Sequence, residues 1–234
     1  MSNIGVKNME NYHNKNSVLI LGSPSTGKTA SLRNLPLEET LYINTDGKPL
    51  PFKGKARVNK FVVPDDPLEV IQGVMALESD DTIKYVVVDT LSFWMNSIEK
   101  QHVIFSKDSR ASWGEIYAYN IDKLLHFANN FSKKSWIFIS HTQDADKQVN
   151  FVTQTKCFGK GSIGKMGVEA WFTNVVYADK HIENGQVKYR FQVALTEQSV
   201  GLSIRSPMGM WDSPFTKDND VMELFKVYNK YEEE

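Results

Sequence analysis

The chain has 234 residues, a formal net charge of −1, and 41% hydrophobic against 24% charged residues, the composition of a globular protein with one sizeable α/β core and no need of a second domain. The near-neutral balance excludes a surface coated in positive charge but leaves room for a local basic site. With no apolar run of about 18 residues and no charged-then-apolar leader, neither secretion nor a membrane span is expected. The one cysteine, Cys157, excludes an internal disulfide and fits a reducing compartment, so the cytoplasm is the expected location.

Residues 1–16 are polar, rich in Asn and follow neither a period of 2 nor of 3.6, so an N-terminal arm is expected ahead of one folded domain over 17–234. Ser17-Val18-Leu19-Ile20-Leu21 reads as a buried strand, and Thr29 to Asn34 as the start of a helix that Pro36 stops. Between them Gly22-Ser23-Pro24-Ser25-Thr26-Gly27-Lys28-Thr29, followed by Ala30, fits G-x-x-x-x-G-K-[ST] in its strand–loop–helix setting. Such a loop turns backbone N–H groups inward at a helix N-terminus, where they hold phosphate oxygens. Gly22 and Gly27 let the main chain turn and approach without a Cβ in the way. Lys28 is placed to reach the β and γ phosphates and the Thr29 hydroxyl to ligate Mg²⁺, so a triphosphate with magnesium is the expected ligand.

A second strand, Thr40-Leu41-Tyr42-Ile43-Asn44, runs into Thr45-Asp46-Gly47. Asp46 is either a water-activating base at a strand's C-terminal end or part of an ordinary Asp-Gly turn. After a Pro-, Gly- and Lys-containing connection, Phe61-Val62-Val63 reads as a short strand and Pro67 to Glu78 as a helix with Leu68, Ile71, Val74 and Met75 inward. Lys84-Tyr85-Val86-Val87-Val88-Asp89-Thr90 is an apolar, β-branched run ending in a carboxylate, which either orients the Mg²⁺ shell together with Thr29 or caps the next helix. A helix is predicted over Leu91 to Phe105, a polar break over Lys107 to Ser112 and a longer helix over Trp113 to Phe131. Ser135-Trp136-Ile137-Phe138-Ile139-Ser140 is another buried strand, ending at His141. Strands alternating with helices imply an α/β fold on a mainly parallel sheet, with the ligand at its carboxyl edge.

From Lys147 to Val168 there is no acidic residue, while Gly159, Gly161, Gly164 and Gly167 make a stable helix unexpected, so 147–167 reads as a mobile basic loop. Val168 to Ala178, Gln186 to Leu195 and Val200 to Arg205 read as strands, the first two joined by a turn at Glu183 to Gln186, which adds antiparallel strands to one sheet edge. An amphipathic helix follows over 220–231. Trp94, Trp113, Trp136 and Trp171 are expected in the core.

The order of phosphate loop, Ile-Asn-Thr-Asp-Gly strand end, Val-Val-Val-Asp-Thr strand, Trp-Gly-Glu-Ile-Tyr helix and Ile-Phe-Ile-Ser-His strand resembles the RecA-type P-loop ATPase core, and more narrowly the small phage single-strand annealing ATPases, over Val18 to Trp211. The resemblance implies an ATPase that acts on single-stranded DNA in phage recombination, annealing or repair inside the host bacterial cytoplasm. It also implies assembly into a homo-oligomeric ring or filament, and a single-strand binding protein as a further partner. It puts Asp46 where such proteins keep a longer catalytic glutamate, and His141 where a glutamine senses the γ-phosphate. Lys156, Lys160 and Lys165 fall where those proteins have a DNA-binding loop, and Arg205 or Lys180 is the candidate cation donated to a neighbouring subunit's site. His141 could equally be a satisfied, half-buried histidine, the three lysines a solvated loop, and Phe158 a base-stacking ring or a loop anchor. Two other functions remain open: a small-molecule or nucleotide kinase with 147–167 as its lid, although that segment lacks the arginines such lids bring, and a nucleotide-dependent assembly scaffold with little turnover.

Overall fold

The computed structural model describes residues 17–149 and 152–233, so the expected arm over 1–16 lies outside the described residues. The strands are β1 (Val18–Leu21), β2 (Thr40–Asn44), β3 (Lys60–Val62), β4 (Tyr85–Asp89), β5 (Ser135–Ile139), β6 (Thr142–Val149), β7 (Val152–Cys157), β8 (Asn174–Glu183) and β9 (Gln186–Gln192). Seven of them form one sheet in the order β3-β2-β4-β5-β1-β8-β9. Every pairing in it is parallel except the antiparallel β8–β9 edge pair. This is the α/β core of a P-loop NTPase, with the phosphate-loop strand β1 and the Asp89 strand β4 separated by β5.

The strands read as continuous apolar runs because both sheet faces are covered. Successive side chains alternate between faces. Leu19, Leu21, Val86, Val88, Trp136 and Phe138 therefore meet α1 (Pro67–Ala76), α2 (Leu91–Ile98) and the helical segment that ends in α4 (Tyr119–Asn130). Val18, Ile20, Val87, Ile137 and Ile139 face α6 (Val221–Glu233). That last helix buries Val221, Leu224, Phe225 and Tyr228, each worth roughly 1.5–3 kcal/mol for leaving water. Asp66 caps α1 ahead of Pro67 at its first position, Thr90 caps α2, and Asp108 caps the short α3 (Ser109–Ser112). No helix among the described residues is long and apolar enough to cross a membrane.

Four expectations are corrected. The helix start expected over Thr29 to Asn34 is a single tight 3-10 turn over Thr29–Leu32. The loop expected over 147–167 gives way, among its described residues, to regular structure: β6 and β7 pair antiparallel, and a short helix α5 (Gly161–Met166) follows. Its glycines serve packing and helix ends. An added Cβ on Gly164 would lie 2.3 Å from the Gly159 carbonyl oxygen, while Gly161 (φ 55°) and Gly167 (φ 89°) bracket the helix. Val168–Trp171 is a 3-10 turn, so β8 begins only at Asn174. Val200 to Arg205 forms isolated bridges to Thr155 and Val175 in place of a strand. Of the tryptophans, Trp94 and Trp136 are fully buried, whereas Trp113 and Trp171 are partly buried and pack against the same core.

Candidate nucleotide-binding site

Parallel pairing brings the carboxyl ends of β1, β2, β4 and β5 to one edge, and a cavity of ≈ 970 Å³ opens there. Pro24 to Ala30 line it together with Tyr42, Asp46, Asp89 and His141. Gly22 and Ser23 stand behind this wall, and their carbonyl oxygens accept the Lys28 ammonium at 2.7 Å each. The loop's shape depends on its glycines. Gly22 (φ 151°) has no room for a Cβ, which would meet Thr26 Oγ1 at 2.8 Å and the Ala178 carbonyl at 2.9 Å. Gly27 (φ 81°) would bring one within 2.6 Å of Asn219 Nδ2. Thr26 Oγ1 closes the turn by donating to the Ser23 carbonyl at 2.9 Å.

Lys28 is buried, and burial lowers its pKa to about 8, with Asp89 opposing and Lys48 adding to the shift. Thr29 Oγ1 donates to Asp89 Oδ2 at 2.8 Å, and the Tyr42 hydroxyl donates to the same oxygen at 2.5 Å. Burial pushes the Asp89 carboxyl above its usual range, the Tyr42 and Thr29 hydroxyls pull it back, Asp46 raises it further and Lys28 lowers it. Since Thr90 caps α2, Asp89 is not the cap of that helix, and its carboxylate is turned to the cavity instead.

Asp46 both forms its turn and faces the cavity. Its Oδ1 accepts the Lys48 N–H at 3.0 Å within a turn, its Oδ2 pairs with the Lys48 ammonium at 3.0 Å, and it lines the cavity. His141 also lines the cavity, with Nδ1 buried and without a hydrogen-bond partner among the described residues. Burial, then Lys28 and Lys48, hold its pKa below the ordinary 6.5 against the opposing pull of Asp46, so the ring is neutral at pH 7. Its carbonyl accepts the Phe158 N–H at 2.9 Å, and Gln143 Nε2 reaches the Gly159 carbonyl at 3.2 Å, which knits the end of β5 to the β6–β7 hairpin.

The three lysines assigned to DNA do not act as one set. Lys156 donates to the Gly164 carbonyl at 2.9 Å, Lys160 pairs with Glu99, and Lys165 is exposed on α5. Phe158 is partly buried against the core, as the anchoring alternative required. Lys180 and Arg205 are exposed on and beside β8 and do not themselves line the cavity, although Lys180 pairs across the hairpin with Tyr189, which does, and Arg205 is fixed through its backbone to Val175.

Sequence reasoning missed Tyr42, which sits on Asp89 only because β2 pairs with β4, and Arg33, whose guanidinium reaches Asp218 and the Asn219 carbonyl. It also missed the two walls formed by Val187-Lys188-Tyr189 and Lys217-Asp218-Asn219. No local signal marks these residues, since each depends on a contact between distant parts of the chain.

A phosphate loop on β1, a carboxylate at the end of β4 and an intervening strand β5 define a P-loop nucleotide-binding ATPase. Residues 14–201 match the AAA_24 family, described as an AAA domain, and the chain belongs to that family. A search of the curated proteins found no match. The matched span ends ahead of the 217–219 wall and α6.

Proposed function

We propose that the chain is a Mg²⁺-dependent ATPase that works on single-stranded DNA as a homo-oligomer, in phage recombination, annealing or repair. The observation that carries the ATPase reading is the arrangement of Lys28, Thr29 and Asp89 at the mouth of a loop that only glycines permit. Thr29 Oγ1 and Asp89 place two oxygens side by side, and these residues would hold a magnesium ion. Bound magnesium supplies charge neutralisation at the phosphates.

Lys28 leaves its two carbonyl partners and turns to the β and γ phosphates. Thr29 and Asp89 would hold the metal, and Asp46 orients or deprotonates the attacking water. His141, neutral and with an unpaired ring nitrogen, donates to the γ-phosphate or its water and passes the change along its backbone to the β6–β7 hairpin and α5. The DNA reading rests on the acid-free 147–168 span, on exposed Lys165 and on the RecA-type resemblance. A neighbouring subunit supplies Arg205 or Lys180 to complete the site. Phosphate release is measured with and without single-stranded DNA. Stimulation supports the whole reading, turnover indifferent to DNA removes the polymer from it, and a chain that retains no nucleotide with magnesium removes the ATPase.

A further inference from the structure

The sheet order gives the cavity a direction. Thr29 and Asp89 lie on the β4 side of the phosphate loop, so the metal end of a bound triphosphate would face β4 and its nucleoside end would extend the other way, toward β8 and β9. On that side the edge hairpin runs past the sheet. Its register pairs Lys180 with Tyr189 and Ile182 with Val187, which sets these four on one face. Ile182 is 76% exposed, Val187 56% and Tyr189 40%, an apolar surface next to a polar cavity that the fold itself leaves uncovered. Tyr189 overhangs the loop: a Cβ on Gly27 would come within 3.0 Å of its ring. Val187 and Tyr189 form one wall of the cavity, and Lys217 to Asn219 another.

We propose that Tyr189, flanked by Val187, is the platform on which the base of the bound nucleotide stacks, and that this subsite selects purines by ring area. The proposal deepens the ATPase reading and rests on it. An aromatic face offers stacking to any base. Edge recognition needs unspent donors and acceptors, and on the facing wall those of Asn219 and Asp218 are engaged. Asn219 Nδ2 donates to the Gly27 carbonyl at 3.0 Å, and its Oδ1 accepts Arg33 at 3.2 Å. The Asp218 carboxylate accepts Arg33 at 2.5 Å and the Asn219 N–H at 2.8 Å. With the Asn219 and Asp218 side chains spent on holding the loop, the larger ring gains by contact area, and adenine and guanine are expected to be treated alike.

The test is calorimetric titration of the full chain with Mg²⁺–ATP and with Mg²⁺–inorganic tripolyphosphate, which has no base. In Tyr189→Ala, ATP affinity is expected to fall on the order of tenfold while tripolyphosphate affinity stays at the wild-type value, and Tyr189→Phe is expected to bind ATP as the wild type does. GTP is expected to match ATP, with CTP and UTP weaker. An unchanged ATP affinity in Tyr189→Ala, or an equal loss for both ligands, overturns the subsite while wild-type tripolyphosphate binding leaves the phosphate loop standing. Equal affinity for all four nucleotides overturns selection by ring area, and a wild-type chain that binds neither ligand overturns the loop reading together with the subsite.

Discussion

The Tyr42 hydroxyl donates to Asp89 Oδ2 at 2.5 Å, and Thr29 Oγ1 reaches that same oxygen at 2.8 Å. Two hydroxyls on one carboxylate oxygen fix the rotamer of a buried Asp at the end of β4 and hold the metal-side donor set together before any ligand arrives. Burial and the Asp89 charge both push the Tyr42 pKa upward, so the phenol remains a donor at all working pH values. Tyr42→Phe keeps the ring stacked on Phe61 and removes only the hydrogen bond. The expected cost is about 1–3 kcal/mol of stability, read from denaturant unfolding. Nucleotide affinity is expected to weaken with magnesium present and to stay unchanged in EDTA. A loss of equal size in both conditions would show that Tyr42 supports the fold alone.

Lys28 gives the site a pH dependence whose sign follows from its surroundings. In the free chain its pKa is lowered to about 8, and phosphates placed against the ammonium restore the charged form. Nucleotide binding therefore takes up a proton above pH 8 and none well below it. Affinity is expected to be flat below pH 8 and to fall above it, by up to about tenfold per pH unit. The phosphate's own second ionisation near 6 lies below this window. Titrations at pH 8.5 in buffers of different ionisation enthalpy measure the uptake directly. Lys28→Ala, expected to lose turnover and keep the fold, should also lose this proton.

His141 carries the opposite kind of test, on stability. Its folded pKa lies below the ordinary 6.5, so between those two values the unfolded chain binds more protons and stability rises with pH. The stability associated with the neutral ring is fully present above pH 6.5 and is lost as pH falls toward the folded pKa. His141→Gln keeps a side-chain donor and removes the titration. Its unfolding free energy is expected to fall less than that of the wild type between pH 6.5 and 5. A variant whose pH profile superimposes on the wild type's would mean that the ring does not resist protonation in the fold.

Much of this arrangement was legible because it is local. A loop motif between a buried strand and a turn, and β-branched runs ending in Asp89 and His141, are read from adjacent residues, and buried parallel strands have a composition of their own. The 142–166 stretch was illegible for two physical reasons. Its hairpin strands, Thr-Gln-Asp-Ala-Asp-Lys-Gln-Val and Val-Thr-Gln-Thr-Lys-Cys, are polar with no apolar alternation. Its glycines resemble flexibility in composition, although Gly159 and Gly164 are close-packed against each other. Contacts such as Arg33 with Asp218, 185 residues apart, leave no mark in either segment alone. Asp46 fell between the two cases, since one side chain forms the turn and also faces the cavity.

The ordered basic segment separates lysines that composition alone had grouped, and this makes the DNA reading testable residue by residue. Lys160 is paired with Glu99, bridging α5 to the turn after α2, and Lys156 is spent on the Gly164 carbonyl. Lys165 is exposed near the end of α5, with no partner of its own among the interactions described. Lys165→Ala is therefore expected to weaken binding of single-stranded DNA and to reduce the log–log salt slope by about one, without change in the melting temperature. Lys160→Ala is expected to lower thermal stability, since the Glu99 carboxylate is then left largely buried and unpaired, and to leave the salt slope alone. Salt titrations of oligonucleotide affinity with a non-hydrolysable ATP analogue bound measure both. An unchanged slope in Lys165→Ala would place the polymer on another face of the protein.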